Sequence, residues 1–213
     1  MPTIDVSFRV NGNELPADHG YIMLSAVSEL IPDIHGDPEC GIFPVNGILI
    51  GNRRISLNDK SRLVFRTDVA KLPSLLKLAG KKLLIGEHPI RIGVPEVFAL
   101  KPAGRLKSRL VTIKGFMEPE LFLKAATKQL LKHGIKGNPA LITRKSSNGD
   151  KEGASTNECP FIRRTLRIKD KEIVGYPMIV EELDDDESIR LQEKGIGGRR
   201  RMGCGLFIPI RDV

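Results

Sequence analysis

The chain has 213 residues and a net charge of +8, with 34 Lys and Arg against 26 Asp and Glu. A hydrophobic share of 40% is enough for the core of one large domain or two small ones, and no run of about 18 apolar residues is present to cross a bilayer as a helix. The basic excess favours polyanions, above all nucleic acid, through release of condensed counterions. The same charge would suit an anionic membrane surface or an acidic protein, but no basic amphipathic helix supports that reading. Cys40, Cys159 and Cys204 are far apart, and with four histidines they show no metal-ligand spacing. An odd, unpatterned cysteine count points to a reducing, cytoplasmic setting, and no cofactor is implied.

Ile4, Val6, Phe8 and Val10 alternate with polar residues, the period-two pattern of a strand. The N-terminus therefore reads as a strand start and not as a secretion signal. Asn11-Gly12-Asn13 is turn-like. Asp18 is placed to cap a helix running to about Ile31, with Ile22, Ala26, Val27 and Leu30 on its apolar face and Pro32 as its stop. Residues 41–45 and 62–66 read as strands and residues 69–78 as a second helix. Residues 82–85 and 90–100 read as extended, joined by a turn at Gly86-Glu87-His88-Pro89.

The second half repeats the order. Residues 110–114 read as a strand, and a helix starts at Pro119 and stops at Gly134. Residues 143–160 are polar and read as a flexible loop. Residues 163–169 and 172–180 read as a hairpin, and the acid run from Asp184 to Glu187 suits a helix start. Residues 205–210 form the last strand. Two β-α-β-β-α-β units, 1–103 and 104–213, give an α+β chain of tandem ferredoxin-like domains.

The densest signal is the glycine-rich loop 195–205, in which Gly195, Gly197, Gly198, Gly203 and Gly205 surround Arg199, Arg200 and Arg201. Glycines let a ligand approach the backbone closely, and guanidiniums suit phosphate. The plain alternative is a solvated basic turn. Two further basic groups stand out: Lys101, Arg105, Lys107, Arg109 and Lys114 near the boundary, and Arg163, Arg164, Arg167 and Lys169 on the hairpin. At period two, Arg163, Thr165, Arg167 and Lys169 would share one face, a phosphate track or a solvated face. With two Tyr, eight Phe and no Trp, RNA binding would rest on phosphates and shape more than on stacking.

This combination resembles the CRISPR repeat-RNA endoribonucleases of the repeat-associated mysterious protein superfamily, most of all the small form of the myxobacterial subtype of type I systems. The residues that carry the resemblance are 193–205, Asp18-His19-Gly20-Tyr21 with Ile34-His35, and 110–116. The resemblance implies a metal-independent ribonuclease that cuts CRISPR repeat RNA in a precursor transcript. The 2′-hydroxyl attacks the adjacent phosphate, leaving 5′-hydroxyl and 2′,3′-cyclic phosphate ends. It further implies partners beyond the RNA, in the other subunits of a type I interference complex. Such chemistry needs a base, an acid and charge stabilisation, and histidine suits the proton work near neutral pH. His35, in the turn-rich segment after the first helix, matches the family's catalytic histidine. Tyr21 and Ser28, with Ser25, fall on one stripe of that helix, to position the RNA or the histidine or else simply to pack and be solvated. His19, beside Asp18, is expected to be structural, and so are His88 in a turn and His133 at a helix C-terminus. A non-catalytic RNA-binding subunit of the same assembly is the competing reading, and His35 argues against it.

Overall fold

The computed structural model describes residues 1–144 and 160–210. The first half runs β1 (Thr3–Asn11), β2 (Glu14–Pro16), α1 (Gly20–Leu30), α2 (Asp33–Gly36), β3 (Gly41–Phe43), β4 (Ile48–Gly51), β5 (Arg54–Ser56), β6 (Arg62–Asp68), α3 (Leu72–Leu76), β7 (Lys82–Ile85) and β8 (His88–Ala99). The second runs β9 (Leu106–Val111), α4 (Pro119–Lys132), β10 (Asn138–Leu141), β11 (Arg164–Ile168), β12 (Lys171–Glu181), α5 (Asp185–Lys194) and β13 (Phe207–Pro209).

The first half builds an antiparallel sheet in the order β3-β6-β1-β8-β7, the second a sheet in the order β10-β12-β9-β13. Without the added edge strand β7, each has the spatial order second, third, first, fourth, and each carries one helix after its first strand and one after its third. The chain is thus two tandem ferredoxin-like units. Each has its own core, one from Ile4 to Ile92 and one from Leu106 to Phe207. Phe8 and Phe65 pack edge to face in the first, and Phe122 and Tyr176 in the second. Each such fully buried side chain contributes about 1.5–3 kcal/mol. In α1 the face made by Met23, Leu24, Ala26 and Val27 is buried, and the helix ends at Ile31, whose N–H bonds Val27 O at 2.9 Å just before Pro32.

Several sequence expectations need correction. In the second unit, the second-strand position belongs to β10, not to the segment at 163–169. The latter is β11, an arm that pairs with the first half of β12, while β10 and β9 pair with its second half. A three-stranded sheet, β2-β5-β4, is added to the first unit. The helix expected at 69–78 is a 3-10 turn capped by Asp68, followed by the short α3. The strand expected at 110–114 is β9, ending at Val111. His88 opens β8 instead of lying in the turn, with Nδ1 3.7 Å from a Glu14 carboxylate oxygen. Arg53 is exposed at a turn, whereas Arg54 sits in β5 and donates to Glu14 at 2.7 Å. Most of the polar segment 143–160, with Cys159, lies outside the described residues. The acidic start of α5 does form a capping box, with the Asp184 carboxylate accepting from Glu187 N–H at 2.7 Å.

Asp18 does not cap α1. Its carboxylate accepts Arg167 N–H at 2.6 Å, 149 residues away, and so ties α1's approach to β11. The N-cap position is taken by His19, whose ring acts elsewhere. Its Nδ1–H donates to Pro16 O at 2.7 Å and its Nε2 accepts Val45 N–H at 2.8 Å, with the side chain 1% exposed. Those partners fix the neutral tautomer. Burial, aided by the nearby Arg109 charge, holds the His19 pKa below its usual value, although the bond to Pro16 pulls the other way.

The two units are joined by Arg66 of β6. Its Nε and Nη2 grip the Asp5 carboxylate at 2.7 Å each, and Nη1 donates to Phe207 O at 2.5 Å and Gln192 O at 3.3 Å across the boundary. The guanidinium lies 5.0 Å from the Phe43 ring centroid. Removing this side chain orphans a carboxylate and two carbonyls.

Two stability predictions follow from these contacts. Arg66→Ala should cost about 3–5 kcal/mol in urea unfolding, whereas Arg9→Ala, which removes the exposed pair with Asp59, should cost under about 1 kcal/mol. His19→Ala should cost about 2–4 kcal/mol near pH 7.5, through two lost hydrogen bonds and an orphaned Val45 amide. Because the folded pKa of His19 lies below the unfolded one, its contribution is complete above about pH 6.5 and is lost as pH falls toward the folded value. The gap between wild type and His19→Ala should therefore narrow at about pH 5.5; a gap that widens would contradict the neutral assignment.

Candidate nucleic-acid interface and cleft

The segment after α1 turns at Pro32 into the single helical turn of α2, which leaves His35 exposed. The stripe Tyr21, Ser25 and Ser28 on α1 faces the same side. These four residues line one cleft with Leu24, Glu29 and Met202. Tyr21, Ser28 and His35, the expected catalytic set, are therefore brought together by the fold. Ser28 Oγ is buried and, among the described residues, has no hydrogen-bond partner. Glu29 adds a carboxylate that the sequence reading passed over, although it extends the same helix stripe. Met202 enters the cleft from the glycine-rich loop. Its carbonyl lies where a Cβ on Gly20 would stand, 2.4 Å away, so α1 and the loop meet only because residue 20 is glycine.

The loop does not present its glycine amides. Gly195 N–H donates to Leu191 O, Gly197 N–H to Gln129 Oε1 at 2.7 Å, Gly198 N–H to Thr112 O at 3.0 Å, Gly203 N–H to Arg200 O and Gly205 N–H to Leu110 O. The glycines are needed for close packing instead. A Cβ on Gly197 would stand 2.3 Å from Thr112 O and one on Gly205 2.1 Å from Ile196 O, both at positive φ. Of the five, Gly198 alone faces open space. The arginines divide. Arg199 has φ +66° and reaches Thr112 Oγ1 at 3.4 Å. Arg201 is half-buried. Arg200 turns inward, and its three guanidinium nitrogens are buried and, among the described residues, without a hydrogen-bond partner. Burial, then the Arg66 charge, lowers its pKa. Arg200 is thus not an outward phosphate contact, contrary to the sequence reading.

The hairpin arm is also rearranged. Leu166 is buried against Leu110 and Cys204, Arg164 shares its alternation, and Thr165 and Arg167 point to the other face. Lys169 has φ +53° and leaves the strand at the turn, where its carbonyl accepts Arg167 Nε–H at 3.2 Å. Arg163 precedes β11. The four-residue stripe is therefore not formed. Arg164 instead lines a groove with Lys107 and Arg109 of β9, opposite Phe43 and Pro44 of the first unit. Burial and the neighbouring Arg164 lower the Arg109 pKa. This cationic groove between the units joins two sequence-distant basic groups that the reading had kept apart.

His133, at the C-terminus of α4, has its pKa lowered by desolvation and by Lys132 and Lys194. Among the described residues no three His, Cys, Asp or Glu side chains converge as a metal-ligand set, and no helix is long and apolar enough to cross a membrane.

A family description, Cas6 (Cas6 Crispr), matches residues 4–212. The chain is 32% identical over 209 residues to the CRISPR-associated endonuclease Cas6 of Myxococcus xanthus, covering 98% of this chain and 82% of that protein. Among solved structures, one described as an RAMP protein binding different RNA substrates superimposes with a TM-score of 0.67 at 17% identity, over 99% of this chain and all of that one. A Cas6-related protein from Pyrococcus furiosus gives 0.64 at 15% identity, over 99% of this chain and all of that one. Those two likenesses concern the fold. The family match and the myxobacterial relative both span nearly the whole chain, and the chain belongs to the Cas6 family.

Proposed function

We propose that this protein is a CRISPR repeat-RNA endoribonuclease that matures guide RNAs from a precursor transcript in the cytoplasm, without a metal ion. The carrying observation is the cleft that gathers His35, Tyr21 and Ser28 beside the glycine-rich loop. Family membership and the myxobacterial relative, an endonuclease by name, support the reading. The 2′-hydroxyl oxygen attacks the adjacent phosphorus as its proton leaves, and the bond to the 5′-oxygen breaks as that oxygen gains a proton. The products are a 2′,3′-cyclic phosphate and a 5′-hydroxyl. His35 moves one of these protons, Tyr21 orients the ribose-phosphate, and Ser28, with its unpartnered hydroxyl, offers a hydrogen bond in the cleft.

Binding is assigned to a surface around the cleft. Arg199 and Arg201 present charge from the loop, and Arg164 with Arg109 and Lys107 holds phosphates in the groove between the units. Arg163, Arg167 and Lys169 add charge along the arm, Arg167 from the face opposite the groove and Lys169 from the turn. Gly195, Gly197, Gly198 and Gly203 act by letting the loop pack so closely that the arginine turn is held in place.

Incubation with the host's repeat RNA in EDTA should give products with 5′-hydroxyl ends. A substrate with a 2′-deoxy nucleotide at the cut site should be bound and left intact; cutting of that substrate would falsify the mechanism. His35→Ala should slow cleavage about 100-fold or more with RNA affinity unchanged. If the folded variant still cuts at the wild-type rate, the histidine is misassigned; if no variant, wild type included, cuts repeat RNA that it binds tightly, the protein is a non-catalytic subunit. Replacing Arg199 and Arg201 with Ala should reduce the slope of log K against log salt by about 1–2. Arg200→Met should leave that slope unchanged, because its guanidinium is already inside the protein.

A further inference from the structure

α4 carries a surface that the cleavage reading does not use. Lys124, Lys128 and Lys132 recur every fourth residue, are exposed, and among the described residues form no ion pair. On a helix this spacing sets the ammonium groups in a row about 6 Å apart, the scale on which phosphates repeat along a stretched strand. The row borders a groove floored by Phe116, Leu121 and Ala125. Phe116 and Leu121 are 38% and 52% exposed, so an aromatic ring and an aliphatic side chain face solvent between cations. The helix's own first-turn carboxylate, Glu120, and the N-cap Glu118 stand at the N-terminal end of α4, and near its other end Glu39 is paired with Lys194 at 3.6 Å.

The groove is continuous with the glycine-rich loop. Gln129 lines it, and Gln129 Oε1 accepts the Gly197 N–H at 2.7 Å. Gly198, exposed and facing open space, is the next residue. A strand passing Arg199 therefore reaches α4 by way of Gly198 and Gln129.

We propose that this groove binds a single-stranded segment of the RNA outside the cleavage cleft, with phosphates on the lysine row and one base stacked on Phe116. The proposal rests on the RNA-binding reading above and adds a second contact surface to it. Cations in a row with an exposed aromatic face are the two parts of a sequence-tolerant single-strand site. An acidic protein partner would be met by the same lysines but would not need their phosphate-scale spacing.

The test uses the full-length protein and a short unstructured polyuridine carrying 4-thiouridine. Lys124→Ala/Lys128→Ala/Lys132→Ala should weaken its binding about tenfold and lower the salt slope by about 2, at 0.7 per phosphate contact. Lys77→Ala/Lys81→Ala/Lys82→Ala, an equal charge loss on the first unit, should do neither. Phe116→Ala should weaken binding severalfold without changing the slope, and photo-cross-links should fall within residues 114–132. An equal effect of both triple variants, or cross-links only elsewhere, would overturn the proposal and leave the lysine row to a protein partner or to solvent. The readout is binding, so the two readings separate. If wild type does not cut repeat RNA but the α4 variant still loses slope, the catalytic reading falls and the groove stands. If wild type cuts and the α4 variant keeps its slope, the groove alone falls.

Discussion

The guanidinium of Arg66 belongs to the first unit by sequence and to both by contact. It is 1% exposed, forked onto Asp5, and donates from Nη1 to the carbonyls of Gln192 and Phe207. Those carbonyls sit near the end of α5 and at the start of β13, the two elements that flank the glycine-rich loop. Removing a partner from a buried, hydrogen-bonded charge is strongly destabilising. The loop's anchors are thereby fixed against the first sheet, and Met202 comes to the cleft formed by α1 and α2. The site is a product of the junction, since neither unit alone supplies both His35 and the arginine turn.

Glycine serves that junction in a particular way. Gly20 admits the Met202 carbonyl, Gly41 admits Leu206, and Gly203 admits Pro44. Each of these contacts joins one unit to the other. Their effect is to let the backbone of one unit meet a carbonyl, a leucine side chain and a proline ring of the other at distances that a Cβ would crowd. Most of the loop's amides are consumed in holding it, and the short cationic turn is thereby kept in one place. Preorganisation of this kind would spare the loop an ordering cost in the RNA binding proposed for it.

The alternation in Ile4, Val6, Phe8 and Val10 was legible because one face of β1 is wholly buried, and the acid-rich start of α5 was legible because its capping box is local. β10 was not. Asn138-Pro139-Ala140-Leu141 has no β-branched or aromatic residue, and only pairing with β12 makes it a strand. The small sheet escaped notice for the opposite reason: Ile48, Leu49 and Ile50 of β4 are all exposed, so no alternation marks them. In the site, His35 and the α1 stripe could be placed from the sequence, since both depend on where one helix ends. The inward turn of Arg200 and the meeting of Arg164 with Arg109 could not, because they are set by contacts between residues far apart in the chain. The glycines suggested close approach of a ligand to the backbone; in the fold, protein atoms take that space at all but Gly198.

Gly198 differs from its neighbours in having neither a positive φ nor any atom within 4 Å of a built Cβ. It is therefore the one glycine in 195–205 that can accept a side chain without displacing the junction. The two described cysteines, Cys40 and Cys204, are buried. A thiol engineered at 198 would thus be the accessible one among the described residues, suited to a fluorophore or a tether. Such a label would sit between the arginine turn and α4, where passage of a strand could be watched as it occurs.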